Sequence, residues 1–68
     1  MREVAISGES ITLGQLLKFA GIAGSGAEAK SLLAEGRVLV DGEPELRRGR
    51  KLRRGEQVRA EGEVVLVA

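Results

Sequence analysis

The chain has 68 residues, with 11 Lys+Arg against 10 Asp+Glu, one Phe, and no His, Cys, Trp or Tyr. A chain this short has room for a single domain over 1–68, whose core supplies no more than about 3–5 kcal/mol, and no disulfide or His/Cys metal site can reinforce it. The same absences disfavour an enzyme, and no run of 18 apolar residues offers a membrane span.

The start, Met1-Arg2-Glu3-Val4, lacks the apolar core of a signal peptide, so a cytoplasmic protein is expected. Glu3-Val4-Ala5-Ile6 alternates polar and apolar as a short strand does, and Ser7-Gly8-Glu9-Ser10 reads as a turn. Thr12-Leu13-Gly14-Gln15 has the form of a capping box. Leu13, Leu16, Leu17 and Ala20 then follow at helical spacing, and Gly21 stands where a left-handed terminator is wanted. Phe19, the one ring, is assigned to the core. Ser25-Gly26-Ala27-Glu28 repeats the capping box, Ala29, Leu32 and Leu33 line the inner face of a second helix, and Gly36 ends it.

After Gly36 the period becomes alternating. Arg37-Val38-Leu39-Val40 is a short strand and Asp41-Gly42 a tight turn. Pro44 confines the return segment to a sheet edge or to irregular structure. Arg54-Gly55-Glu56 turns the chain into Gln57–Ala60, and Glu61-Gly62 turns it into a last strand, Glu63–Val67. The order β-αα-βββ predicts an α+β fold: two short helices packed on a small, mostly antiparallel sheet.

The net charge of +1 conceals an uneven distribution. Residues 37–59 carry eight basic side chains against four acidic ones, and Arg47–Arg54 holds six cations in eight positions with no anion. Strand signals on both sides, with Leu46 and Leu52 as apolar anchors, make a loose tail a poor description of this run. Arg outnumbers Lys there by five to one, which favours bidentate recognition of phosphate or carboxylate. The run therefore faces an anionic polymer, an acidic protein surface or, last in order, solvent alone. Single-strand readers stack bases on exposed rings, so a chain with its one ring in the core is expected to grip backbone and shape, as structured RNA requires. Lys18 and Lys30 each follow an inner-face residue and project from a flank of the helix pair. The Gly-rich 21–31 stretch is no nucleotide loop, because Ala29 stands where the Walker pattern needs Gly before Lys30.

The succession Ser25-Gly-Ala-Glu-Ala-Lys30, Leu32-Leu33, Gly36-Arg-Val-Leu-Val-Asp-Gly42 and Arg54-Gly55-Glu56 resembles the S4-type RNA-binding domain, or αL motif. The likeness spans about residues 11–60 and is strongest to small stand-alone bacterial members. It implies a non-catalytic module presenting its helix pair and the following loop to structured RNA, ribosomal or transfer RNA, with the ribosome as a partner. Carried over by position, the implied contacts are Lys18, Ser25, Gly26, Lys30, Arg37, Asp41 and Gly42. Beside them stand Arg47, Arg48, Arg50, Lys51, Arg53 and Arg54. Gly26 departs from the Arg that many members carry after the helix-starting Ser. A monomer is expected, with no cofactor, metal, membrane or small-molecule substrate. The competing reading is a protein-interaction adaptor that docks the Arg-rich loop on an acidic partner. An RNA site needs Lys18 and Lys30 to converge with the 47–54 run; an adaptor needs only the run.

Overall fold

The computed structural model describes residues 1–68. Helix α1 (Leu13–Phe19) opens on the reciprocal cap its sequence predicts. The Gln15 amide donates to Thr12 Oγ1 at 3.3 Å, and the Thr12 amide donates to Gln15 Oε1 at 3.2 Å. Helix α2 (Gly26–Ala34) makes half of that device: Ser25 Oγ accepts from the Glu28 amide at 3.1 Å, while the Glu28 carboxylate lies against Gly24. Both helices end alike. The amides of Gly21 and Ile22 donate to the carbonyls of Lys18 and Leu17, and those of Gly36 and Arg37 to Leu33 and Leu32. This paired geometry needs a left-handed residue just past the cap, and Gly21 and Gly36 supply φ of 75° and 71°.

The sheet has five strands in the order β1-β7-β6-β3-β4: β1 (Arg2–Val4), β7 (Glu63–Val67), β6 (Gln57–Ala60), β3 (Val38–Val40) and β4 (Glu43–Pro44). All neighbours are antiparallel except β1, which runs parallel to β7 with Val4 opposite Val67. Pro44 sits on the edge strand, where its missing N–H removes no ladder bond. Two short strands lie outside the expected order. Ile11–Thr12 (β2) and Lys51–Leu52 (β5) pair antiparallel as a separate ribbon, so part of the basic run is itself a strand.

Val38, Val40, Val58, Ala60, Val65 and Val67 alternate inward from the sheet to meet Leu13, Leu16, Leu17, Leu32 and Leu33 of the helices. All 17 buried residues are apolar and none is aromatic, so the core stands on aliphatic packing alone. Two expectations need correction. Phe19 is 70% exposed rather than buried. At 100° per residue it lies roughly 110° from the centre of the Leu13/Leu16/Leu17/Ala20 face, too far round to turn inward. Leu46 is 62% exposed and anchors nothing, whereas Leu52 is fully buried from β5. No helix is long and apolar enough to cross a membrane.

Candidate nucleic-acid interface

The first amides of any helix lack intrahelical partners. In α1 the basic loop supplies them. The Leu13 amide donates to the Arg50 carbonyl at 2.8 Å and the Gly14 amide to the Arg48 carbonyl at 2.9 Å. Gly14 suits this approach: a Cβ there would stand 3.3 Å from Arg48 Cβ and 3.4 Å from the Arg48 carbonyl oxygen, so the loop would have to give slightly. Thr12 pairs with Lys51 just beyond, and buried Leu52 fixes the far end of the loop. The basic segment is thus held along its backbone against β2 and the start of α1.

Between loop and helices lies a cleft of about 240 Å³. Thr12, Gly14, Gln15 and Lys18 form one wall, Gly26 and Ala29 of α2 another, and Arg48 and Gly49 the loop side. Its two charged lining residues are Lys18 and Arg48, both exposed, and no carboxylate lines it. The small residues at 14, 26, 29 and 49 leave backbone within reach of whatever enters.

The remaining cations divide by their partners. Glu45 accepts from Arg47 Nε at 3.2 Å, Arg47 Nη2 at 3.2 Å and Arg50 Nη1 at 3.3 Å. The Arg47 guanidinium first, then the Arg47 amide, hold the Glu45 carboxyl down at about 2; the Arg50 hydrogen bond adds to them. The same contact raises Arg47 above its ordinary value. Arg50 also bridges to Glu56 at 2.9 Å. Arg37 is tied to Glu35 and Glu61, and its hydrogen bond to Glu35 is the main cause of a raised pKa. Arg2 pairs with Glu63. By contrast Lys18, Lys30, Arg48, Lys51, Arg53, Arg54 and Arg59 take part in no ion pair.

A family model described as the S4 domain matches residues 4–68. The chain belongs to the S4 domain family. A relative named the probable ribosome maturation protein RlbA, from Bacillus subtilis (strain 168), is 52% identical over 59 residues. That match covers 87% of this chain and 83% of the relative.

Within this S4 domain the residues singled out from sequence scatter more widely than one groove. Lys18, Gly26 and Arg48 meet at the cleft. Lys30 is exposed one turn beyond Gly26 on the same side of α2, at the rim rather than in the lining. Ser25 is occupied as the α2 cap. Asp41 and Gly42 form the β3–β4 turn, both with positive φ, and the Asp41 carboxylate accepts from the Gln57 amide at 2.9 Å. They serve the sheet and lie outside the cleft lining, as does Arg37. Lys51 is exposed on β5, Arg53 stands in the turn that Glu56 caps, and Arg54 donates to the Ile6 carbonyl at 2.8 Å.

Sequence reasoning missed Thr12, Gly14, Gln15, Ala29 and Gly49 as cleft residues. Gly14 carried a usable signal, since a Gly inside a capped helical start weakens the helix without a closely approaching neighbour to explain it. No group of His, Cys, Asp and Glu is placed to hold a metal ion.

Proposed function

We propose that this protein binds structured RNA without catalysing its modification, gripping backbone phosphates in the cleft between the helix pair and the 47–50 loop. The observation that carries this reading is that Lys18 and Arg48 line one cleft with no ion-pair partner and no carboxylate beside them. A cleft built this way attracts a polyanion, and its small residues admit a backbone rather than a bulky side chain. Membership of the S4 domain family supports RNA as that polyanion. Similarity to a probable ribosome maturation protein favours ribosomal RNA over transfer RNA; a cytoplasmic monomer remains part of the proposal.

The test is fluorescence anisotropy with a labelled hairpin RNA across a salt series. Four to six neutralised phosphates give a slope of log affinity on log salt of roughly −3 to −5. A flat dependence would remove the electrostatic mechanism. Full RNA affinity in a Lys18→Ala/Lys30→Ala double variant would leave the Arg run as an isolated basic patch, as the adaptor reading requires.

A further inference from the structure

A single exposed apolar side chain is ordinary on a protein surface, and Phe19 would call for no comment if it stood alone. It does not. Phe19 borders a second, roomier groove of about 610 Å³, whose other walls include Ile6, Ser7, Gly8 and Ile11. Gln15 and Lys18 line both this groove and the first cleft, so the two share a wall. Helix geometry explains the sharing. Taken round α1 at 100° per residue, the outward side chains fall in the order Gly14, Lys18, Gln15, Phe19. The loop with Arg48 lies on the Gly14 side, and the ring lies on the opposite flank.

The far wall of the second groove is tied down. The Ile6 amide donates to the Ala68 carbonyl at 2.9 Å, and Arg54 donates to the Ile6 carbonyl at 2.8 Å. Ile6 and Ile11 pack against the core from that side. The groove therefore offers an exposed ring face, two fixed aliphatic side chains, a shared lysine and no carboxylate. A protein partner needs a far larger apolar surface, and the other exposed large apolar side chains, Met1 and Leu46, are not among its walls. A flat aromatic group attached to a phosphate fits each part of it.

We propose that Phe19 is a stacking platform for one unpaired nucleobase of the RNA whose backbone lies in the first cleft, with Lys18 taking the phosphate between them. The proposal rests on the RNA-binding reading above and adds a preference that reading does not contain. Phosphate contacts alone do not reward an unpaired base. A single stacking ring favours a stem with one base free to leave the helix.

The experiment compares a hairpin carrying a single-nucleotide bulge in its stem with the same hairpin lacking the bulge, both closed by a polyethylene-glycol linker in place of a nucleotide loop so that the bulge holds their one unpaired base. Because the chain has no Trp, Phe19→Trp introduces a unique fluorophore at the site. The bulged hairpin is expected to quench its emission and shield it from acrylamide at saturation. Phe19→Ala is expected to lose at least about five-fold in affinity for the bulged hairpin, the low end for a base–aromatic stack, and nothing for the uninterrupted one. Phe19→Leu, which keeps apolar surface and loses the ring face, is expected to behave as Phe19→Ala. Equal affinity of wild type and Phe19→Ala for the bulged hairpin overturns the proposal, as does unchanged Trp emission at saturation or full rescue by Leu. In each of those cases binding of the uninterrupted hairpin still stands, so the RNA reading survives. Failure of wild type to bind either hairpin removes both.

Discussion

The Gly14 amide reaches the Arg48 carbonyl at 2.9 Å, so close that a Cβ at position 14 would stand 3.3 Å from Arg48 Cβ. This approach turns a basic loop into one wall of a cleft. Helix α1 contributes Lys18, and its first turn simultaneously holds the loop that contributes Arg48.

Gly14→Ala therefore sets two effects against each other. Alanine favours the helix by about 1 kcal/mol over glycine, while its Cβ pushes on a loop fixed at two backbone bonds. Stability measured by urea unfolding is expected to change by no more than about 1 kcal/mol. Hairpin affinity is expected to fall several-fold, because Arg48 moves with the displaced loop. Unchanged affinity would show that the position of Arg48 does not matter to binding.

The ion pairs rank the cations. Arg48→Ala is expected to weaken hairpin binding by roughly 1.5 kcal/mol, the low end for one charge-assisted hydrogen bond to phosphate, or about ten-fold. Lys18→Ala should match it, and Lys30→Ala, at the rim, should do less. Arg37→Ala should leave affinity almost unchanged, since its guanidinium is engaged by Glu35 and Glu61. None of these exposed positions should move stability by more than about 0.5 kcal/mol. Equal weakening by Arg37→Ala and Arg48→Ala would erase the distinction between tied and free cations.

Much of this arrangement is legible in the sequence because it is local. The Thr12/Gln15 cap, the glycine helix ends, the Asp41-Gly42 turn and the Pro44 edge each depend on a few neighbouring residues. The α+β class follows from the change of period at Gly36. What was not legible depends on contacts between distant segments. The β2–β5 ribbon joins residues about forty apart in sequence, and nothing local marks Leu52 rather than Leu46 as the anchor. Phe19 was placed in the core by its chemistry, although its position in the helical repeat pointed elsewhere. The pairing of Glu45 with Arg47 and Arg50 was hidden for a similar reason: counting charge over a segment does not say which charges neutralise one another.

The Glu45 cluster has a pH signature. Its carboxyl ionises near 4.5 in an ordinary setting and at about 2 in the fold. Between those values the unfolded chain binds a proton that the folded chain does not, so acid favours unfolding. The contribution is fully present above about pH 4.5 and is lost as pH falls through about 2. Glu45→Gln is expected to flatten the stability profile in that window while leaving the other carboxylates to act. Thermal melts from pH 2 to 7 measure it; parallel profiles for the two proteins would mean that Glu45 is not held by its arginines.

The basic loop is part of the fold's packing and not an appendage, and Leu52 shows how strongly. Its side chain is fully buried from β5, the strand that follows the loop in the chain and precedes β6. Truncating a buried Leu to Ala typically costs about 2–5 kcal/mol, comparable with the whole stability that a core of this size supplies, roughly 3–5 kcal/mol. Leu52→Ala is therefore expected to be largely unfolded or to melt far below wild type. Leu46→Ala, six residues earlier and 62% exposed, should melt within the range of an ordinary surface substitution, about 0.5 kcal/mol. Saturating hairpin RNA should recover part of the Leu52→Ala deficit, since a ligand at about a hundred times its dissociation constant stabilises the folded state by roughly 2.7 kcal/mol. Circular dichroism melts with and without RNA measure all three effects. Similar melting of Leu52→Ala and wild type would mean that the loop is anchored elsewhere, and the cleft wall it forms would lose its foundation.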